Sequence, residues 1–221
     1  MFLGHFGLAL AAKKAVPSVS LGTLCVAGQL LDVLWPVFLT AGWERVRVDP
    51  GNTVVTPFDF LHYPWSHSLA MAALWAALFA GGHFAFRRDL KAAGILAALV
   101  LSHWLLDFIT HRPDLPLYPG GAKVGLGLWN NFQATLAAEL VLFAAGMFLY
   151  ESSTQAKDKV GSRSLFLFAI VLLVTYMGNV LGPPPPPETA VIASAGFAMW
   201  LLFGWAFWFD RHRAPKVPAS G

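Results

Sequence analysis

Residues 91–110 read KAAGILAALVLSHWLLDFIT, a run long and apolar enough to cross a bilayer as one helix, yet it carries His103 and Asp107. Four positions apart, these two side chains share one helical face, a turn from each other. An imidazole and a carboxylate are therefore turned to one point inside the membrane. Burying such groups in lipid is costly, so ionisable residues at that depth mark function. A metal ion is the use that suits this pair.

Working outward, apolar runs of spanning length fall near 20–42, 67–86, 91–110, 130–150, 164–182 and 190–209. The apolar segment 1–12 is too short to span and reads as a half-helix or interfacial piece, set off by Pro17. The chain has 221 residues, 57% hydrophobic and 12% charged, with mean hydropathy +0.59. A soluble domain needs roughly a quarter charged residues to cover its surface. The expected fold is all-α, a polytopic transmembrane helical bundle of about six spans plus the half-helix. Residues 1–150 form the metal-site part. Residues 151–221 add two scaffold spans and a basic tail to what reads as one integral unit. Loop 43–66 contains the turn signal Asp49-Pro50-Gly51-Asn52, loop 111–128 is rich in proline and glycine, and 183–187 are five prolines that suit a short extended connector.

The net charge of +3 does not point to nucleic acid, because the basic residues sit beside apolar runs, where they set topology. Eleven of the fifteen Lys and Arg residues fall on one side, from Lys13 and Lys14 to Lys216; Arg45, Arg47, Arg112 and Lys123 fall on the other. The positive-inside rule then puts both termini in the cytoplasm and loops 43–66 and 111–128 outside. The first lysines follow the N-terminal apolar stretch, the reverse of a cleaved signal peptide, so the N-terminus is expected to be retained. Cys25 is the one cysteine, which excludes an internal disulfide and a CxxC zinc site.

A rise of about 1.5 Å per residue puts Asp32, His103 and Glu139 roughly 18 Å from the cytoplasmic boundary, with Asp107 a turn further out. His5 reaches the interior if its half-helix ends at Lys13. His62 and His67 enter from the outer end of the second span, and His67 sits above Asp32 unless that entry dips inward. Each residue has a plainer use: His103 and Asp107 as a bonded pair, Asp32 capping a kink at Pro36, His67 capping a helix with Ser66, Glu139 bonding between helices. His83 and His212 read as interfacial, and His111 as at most an entrance residue. Imidazole mixed with carboxylate suits zinc first, then manganese or iron; magnesium and calcium favour oxygen alone. More donors are present than the three a simple catalytic zinc uses, which leaves a two-metal site or second-sphere partners open.

The ordered set Gly4-His5, Leu31-Asp32-Val33-Leu34-Trp35-Pro36, His62-x4-His67-Ser68-Leu69 and Ser102-His103-x3-Asp107 with Thr110 resembles the predicted membrane-bound metal-dependent hydrolases, also called LexA-binding, inner-membrane-associated hydrolases. The likeness covers roughly residues 1–150. It implies a multi-pass bacterial inner-membrane protein with metal-dependent hydrolytic activity. His5, Asp32, His62, His67, His103 and Asp107 match its motif positions. Leu34 and Trp35 stand where the family has a second aspartate and a histidine, and Tyr63-Pro64 replaces Arg-Gly after the first histidine of the third motif.

Two functions follow as expectations. In the first, His5, Asp32, His67, His103 and Asp107 hold a divalent metal, with His62 or Glu139 as base, relay or second-sphere partner, and a lipid or lipid-linked (phospho)ester is hydrolysed at the outer leaflet. The second is a non-enzymatic metal-binding or metal-transport protein. The bilayer is the one partner the sequence implies; oligomeric state and soluble partners are not legible in it.

Overall fold

The computed structural model describes residues 1–216; residues 217–221 of the expected basic tail lie outside the described residues. Helix α1 (Leu3–Ala15) is followed by α2 (Leu21–Gly28) and α3 (Leu30–Thr40), then by strands β1 (Arg45–Val48) and β2 (Phe58–His62). The short α4 (Pro64–His67) leads into α5 (Leu69–Arg87) and α6 (Leu90–Thr110). Strands β3 (Leu115–Pro116) and β4 (Lys123–Val124) precede α7 (Phe132–Ser153), β5 (Thr154–Ala156), α8 (Lys159–Leu181), α9 (Thr189–Asp210) and β6 (Arg213–Pro215). Among the described residues the strands form three small antiparallel pairs at the ends of the helices, β1–β2, β3–β4 and β5–β6. Among the described residues, five helices are long and apolar enough to cross a membrane, and the bent α2–α3 pair, counted as one span, makes a sixth.

Burial is inverted relative to a soluble protein. His5, Gln29, His103, Thr135 and Glu139 are buried, while Leu78, Phe148, Val174 and Leu201 are exposed on the helix surfaces. Lipid covers such apolar faces, whereas polar side chains must find partners inside the bundle.

Helix α1 runs through the centre of the bundle, packed chiefly against α7, with Leu3, Phe6, Ala9 and Leu10 fully buried. The interfacial alternative for segment 1–12 therefore falls and the half-helix stands. The close approach needs glycine: a Cβ on Gly7 would lie 2.5 Å from the Leu142 carbonyl oxygen, and one on Gly146 would strike the Gly7 backbone.

The first span bends by 60° between Gly28 and Leu30, not at the proline. Gln29 at φ −111°, ψ 13° leaves helical geometry, while Pro36 lies within the continuous α3. Asp32 is accordingly a first-turn residue of α3, not the cap of a Pro36 kink. Loop 43–66 is an ordered hairpin, its strands joined through the turn at Asp49–Asn52. Residues 183–187 contain neither helix nor strand, as their prolines require.

The opposite end is tied by a buried ion pair. Lys13 Nζ donates to Asp210 Oδ2 at 2.7 Å, the Leu21 amide donates to the same oxygen at 2.9 Å, and Tyr150 donates to Oδ1 at 2.8 Å. One carboxylate at the end of α9 thus joins α1, α2 and α7.

Candidate metal centre

On α6 the stripe Leu96, Val100, His103 and Asp107 faces inward, so His103 and Asp107 are buried together. Asp107 Oδ2 lies 3.1 Å from His103 Nε2 and 3.8 Å from His67 Nε2; its Oδ1 lies 3.2 Å from His5 Nε2. Asp32 closes the other side, with Oδ1 3.3 Å from His67 Nε2 and Oδ2 3.7 Å from His103 Nε2. The His5 ring stacks on His103 at 3.7 Å with 4° between planes. The donors fall into two overlapping groups, His5/His103/Asp107 and Asp32/His67/His103, the atoms of each within 4.8 Å of one another. The α-amino group of Met1 also contacts Asp107 Oδ1, at 2.6 Å.

Each ligand is aimed by a local feature. The bend after Gly28 leaves the last carbonyls of α2 without helical partners, and the Gly28 oxygen accepts from His103 Nδ1 at 2.8 Å. A carbonyl cannot donate, so Nδ1 carries a hydrogen, and in the neutral ring Nε2 presents a lone pair. His67 reaches the depth of Asp32 because Pro64 opens the short turn α4, which carries the chain inward before α5 begins at Leu69. Ser66 Oγ lies 2.7 Å from His67 Nδ1.

The Nε2 atoms of His67 and His103 therefore face the two carboxylates. His103 Nε2 is buried and makes no hydrogen bond despite lying 3.1 Å from a carboxylate oxygen. Carboxylates converging in a buried site call for positive charge, of which the Met1 ammonium supplies part, at Asp107 Oδ1. Nitrogen and oxygen in this proportion, with oxygens beside the far ring nitrogens of His103 and His67 though none at His5, suit zinc, manganese or iron. The residues present fit such an ion. The cluster is accessible from one side: the Asp32 side chain is 27% exposed, while those of His5, His67, His103 and Asp107 are 5% or less.

The two residues expected as base or relay lie elsewhere. Glu139 Oε1 accepts from the Phe2 amide at 2.9 Å and Oε2 from the Gly4 amide at 2.8 Å, so both oxygens cap α1 and hold the turn that carries His5. His62 ends β2 opposite Arg45, half-buried and outside both donor groups.

Sequence reasoning missed the residues around the ligands. Glu44 is buried and bonds Ser66 through both oxygens. Burial pushes its carboxyl above the usual range, against the opposing pull of His67 and Ser66. Nearer the loop surface, Tyr63 and His111 Nδ1 both contact Asp114 Oδ1, at 3.1 and 3.0 Å, while Arg112 bridges Asp114 and Asp59. Burial lowers His111; burial also opposes ionisation of Asp114, but its bonds from His111, Arg112 and Tyr63 win and hold it below the ordinary value. His111 packs at 4.2 Å on Trp129, within a roof over the centre that also includes Phe60. The one available signal was the density of His, Arg and Asp in residues 111–114.

A family described as YdjM inner membrane protein matches residues 2–181 of the chain. No curated protein and no solved structure matches it.

Proposed function

The chain belongs to the YdjM inner membrane protein family, and from that premise we propose that it is a metal-dependent hydrolase of a lipid or lipid-linked phosphoester, working at the outer leaflet. The observation that carries this reading is the convergence of His67 Nε2 and His103 Nε2 on Asp32 and Asp107, in a buried cluster whose partly exposed member is Asp32. His5, Asp32, His67, His103 and Asp107 hold the ion, and Glu139 holds α1 so that His5 reaches it. A bound divalent ion would supply a water of lowered pKa and polarise the phosphoester.

The chain's own residues do the rest. Trp35, one turn beyond Asp32, packs against Phe58 and Phe60 and gives the opening an apolar wall that suits acyl or prenyl chains. Asp32, the most accessible carboxylate, is the group best set to take a proton from an incoming water. The roof made by Tyr63, His111 and Trp129 limits bulk water over the cluster. The excess of Lys and Arg at the opposite end supports cytoplasmic termini and an outward-facing roof.

The test is purified protein, loaded with zinc or manganese, given a panel of lipid phosphates in detergent micelles. Chelator-sensitive release of phosphate or of the lipid alcohol is expected. No release from any member by fully loaded protein would count against hydrolysis and favour a metal-binding or transport role.

A further inference from the structure

We propose that Glu44 and Ser66 are a positioning pair that fixes His67 in the ring form whose Nε2 faces the ion; this deepens, and rests on, the metal-centre reading. Glu44 reaches the site because Gly42, at φ 73°, turns the chain back at the end of α3, and the Trp43 and Glu44 amides donate to the Phe38 carbonyl. The Glu44 carboxylate then grips Ser66 twice. The Ser66 amide donates to Oε1 at 2.7 Å and the hydroxyl donates to Oε2 at 2.7 Å.

A charged acceptor outcompetes a neutral imidazole for the hydroxyl hydrogen. Ser66 Oγ is left with a lone pair toward His67 Nδ1, 2.7 Å away, so Nδ1 carries a hydrogen and, in the neutral ring, Nε2 has none. Glu44, Ser66 and His67 are all buried, which limits water as a replacement partner.

The contrast with His103 shows why Glu44 is needed. The Gly28 carbonyl can only accept, so it holds His103 in one ring form unaided. A serine hydroxyl can donate or accept. Without a carboxylate behind it, Ser66 would donate to Nδ1 and move the ring hydrogen to Nε2, which would then point a hydrogen at the ion.

The experiment is cobalt(II) titration of detergent-purified wild type, Glu44→Gln, Ser66→Ala and Ser66→Thr, read by visible absorption and by bound cobalt after desalting. Glu44→Gln keeps the shape but returns an amide donor toward Ser66, freeing the hydroxyl to donate to His67. Its cobalt affinity should fall about 10- to 100-fold, with a changed spectrum. Ser66→Ala should fall similarly, and Ser66→Thr, which keeps the hydroxyl, should retain most of the affinity. If Glu44→Gln does not fold, the Ala and Thr pair at Ser66 decides: equal affinities overturn the proposal. Wild type and Glu44→Gln with equal affinity and one spectrum overturn the positioning role alone. Wild type that binds no cobalt overturns the metal centre as well.

Discussion

Replacing Asp32 with Asn separates a metal centre from a bonded polar cluster by whether its effect depends on metal. Asp32 and Asp107 flank the same His103 nitrogen at 3.7 and 3.1 Å, which keeps their charges within about 7 Å of each other. At an effective dielectric near 20 their repulsion is about 2 kcal/mol, reduced to about 1 kcal/mol because the Asp32 side chain is 27% exposed. In chelator, Asp32→Asn relieves that repulsion but gives up the charged contacts of Asp32 to His67 and His103, so it should be about as stable as wild type. With zinc at a hundredfold excess over its dissociation constant, wild type should gain about 2.7 kcal/mol, because ligands drawn from α1, α3, α4 and α6 are assembled only in the folded chain. Asp32→Asn should gain little, so a gap in stability opens when metal is added. Thermal unfolding in detergent with and without chelator reads both arms. An Asp32→Asn variant less stable than wild type in chelator, beside a wild type indifferent to zinc, would refute the reasoning and leave a hydrogen-bonded cluster.

Four further outcomes follow from the geometry. Gly7→Val should cost about 3 kcal/mol or prevent folding, read as lost monodisperse protein on size exclusion, since its side chain meets the Leu142 backbone; a normal yield would contradict the close α1–α7 packing. Lys13→Met strands Asp210 and should cost about 3–5 kcal/mol, while Lys13→Met with Asp210→Leu should recover most of that in the same unfolding assay. Glu139→Ala leaves the Phe2 and Gly4 amides unpaired, costs about 1–3 kcal/mol, and should weaken metal binding although Glu139 is not a ligand; unchanged zinc affinity would show that His5 needs no such support. Acid should loosen the roof in two stages. Because the folded pKa of His111 is depressed, its unfolded form takes a proton first and stability drops as pH falls below about 6.5; the depressed Asp114 adds a further loss below about pH 4. Trp129 fluorescence or proteolysis of the 111–131 segment should follow that profile, and a flat response between pH 7 and 4 would argue against it.

The spans were legible because lipid imposes length and hydropathy on each helix separately, so residues 91–110 announce α6 without reference to any partner. His103 and Asp107 were legible for the same local reason, being one turn apart in an apolar run. The depth of His67 was not, since it depends on the turn of α4, which four residues built on Pro64 do not advertise. The bend at Gln29 was hidden by the more conspicuous Pro36, although proline is accommodated within α3. Asp210 looked like the end of a scaffold span, and its pairing with Lys13 spans nearly the whole chain. Glu44 and Ser66 were beyond reach because their roles lie in the direction of hydrogen bonds between distant segments. Glu139 shows the reverse: its depth was readable from the helix, but its use in capping α1 was not.

The most direct measurement is the metal content of detergent-purified wild type beside His103→Ala and Asp107→Ala, by elemental analysis at matched protein concentration. A bound divalent transition metal in wild type, lost from both variants while they stay folded, is the expected result. Equal metal in all three, or none in wild type purified with zinc and manganese supplied, would contradict a centre built from these side chains.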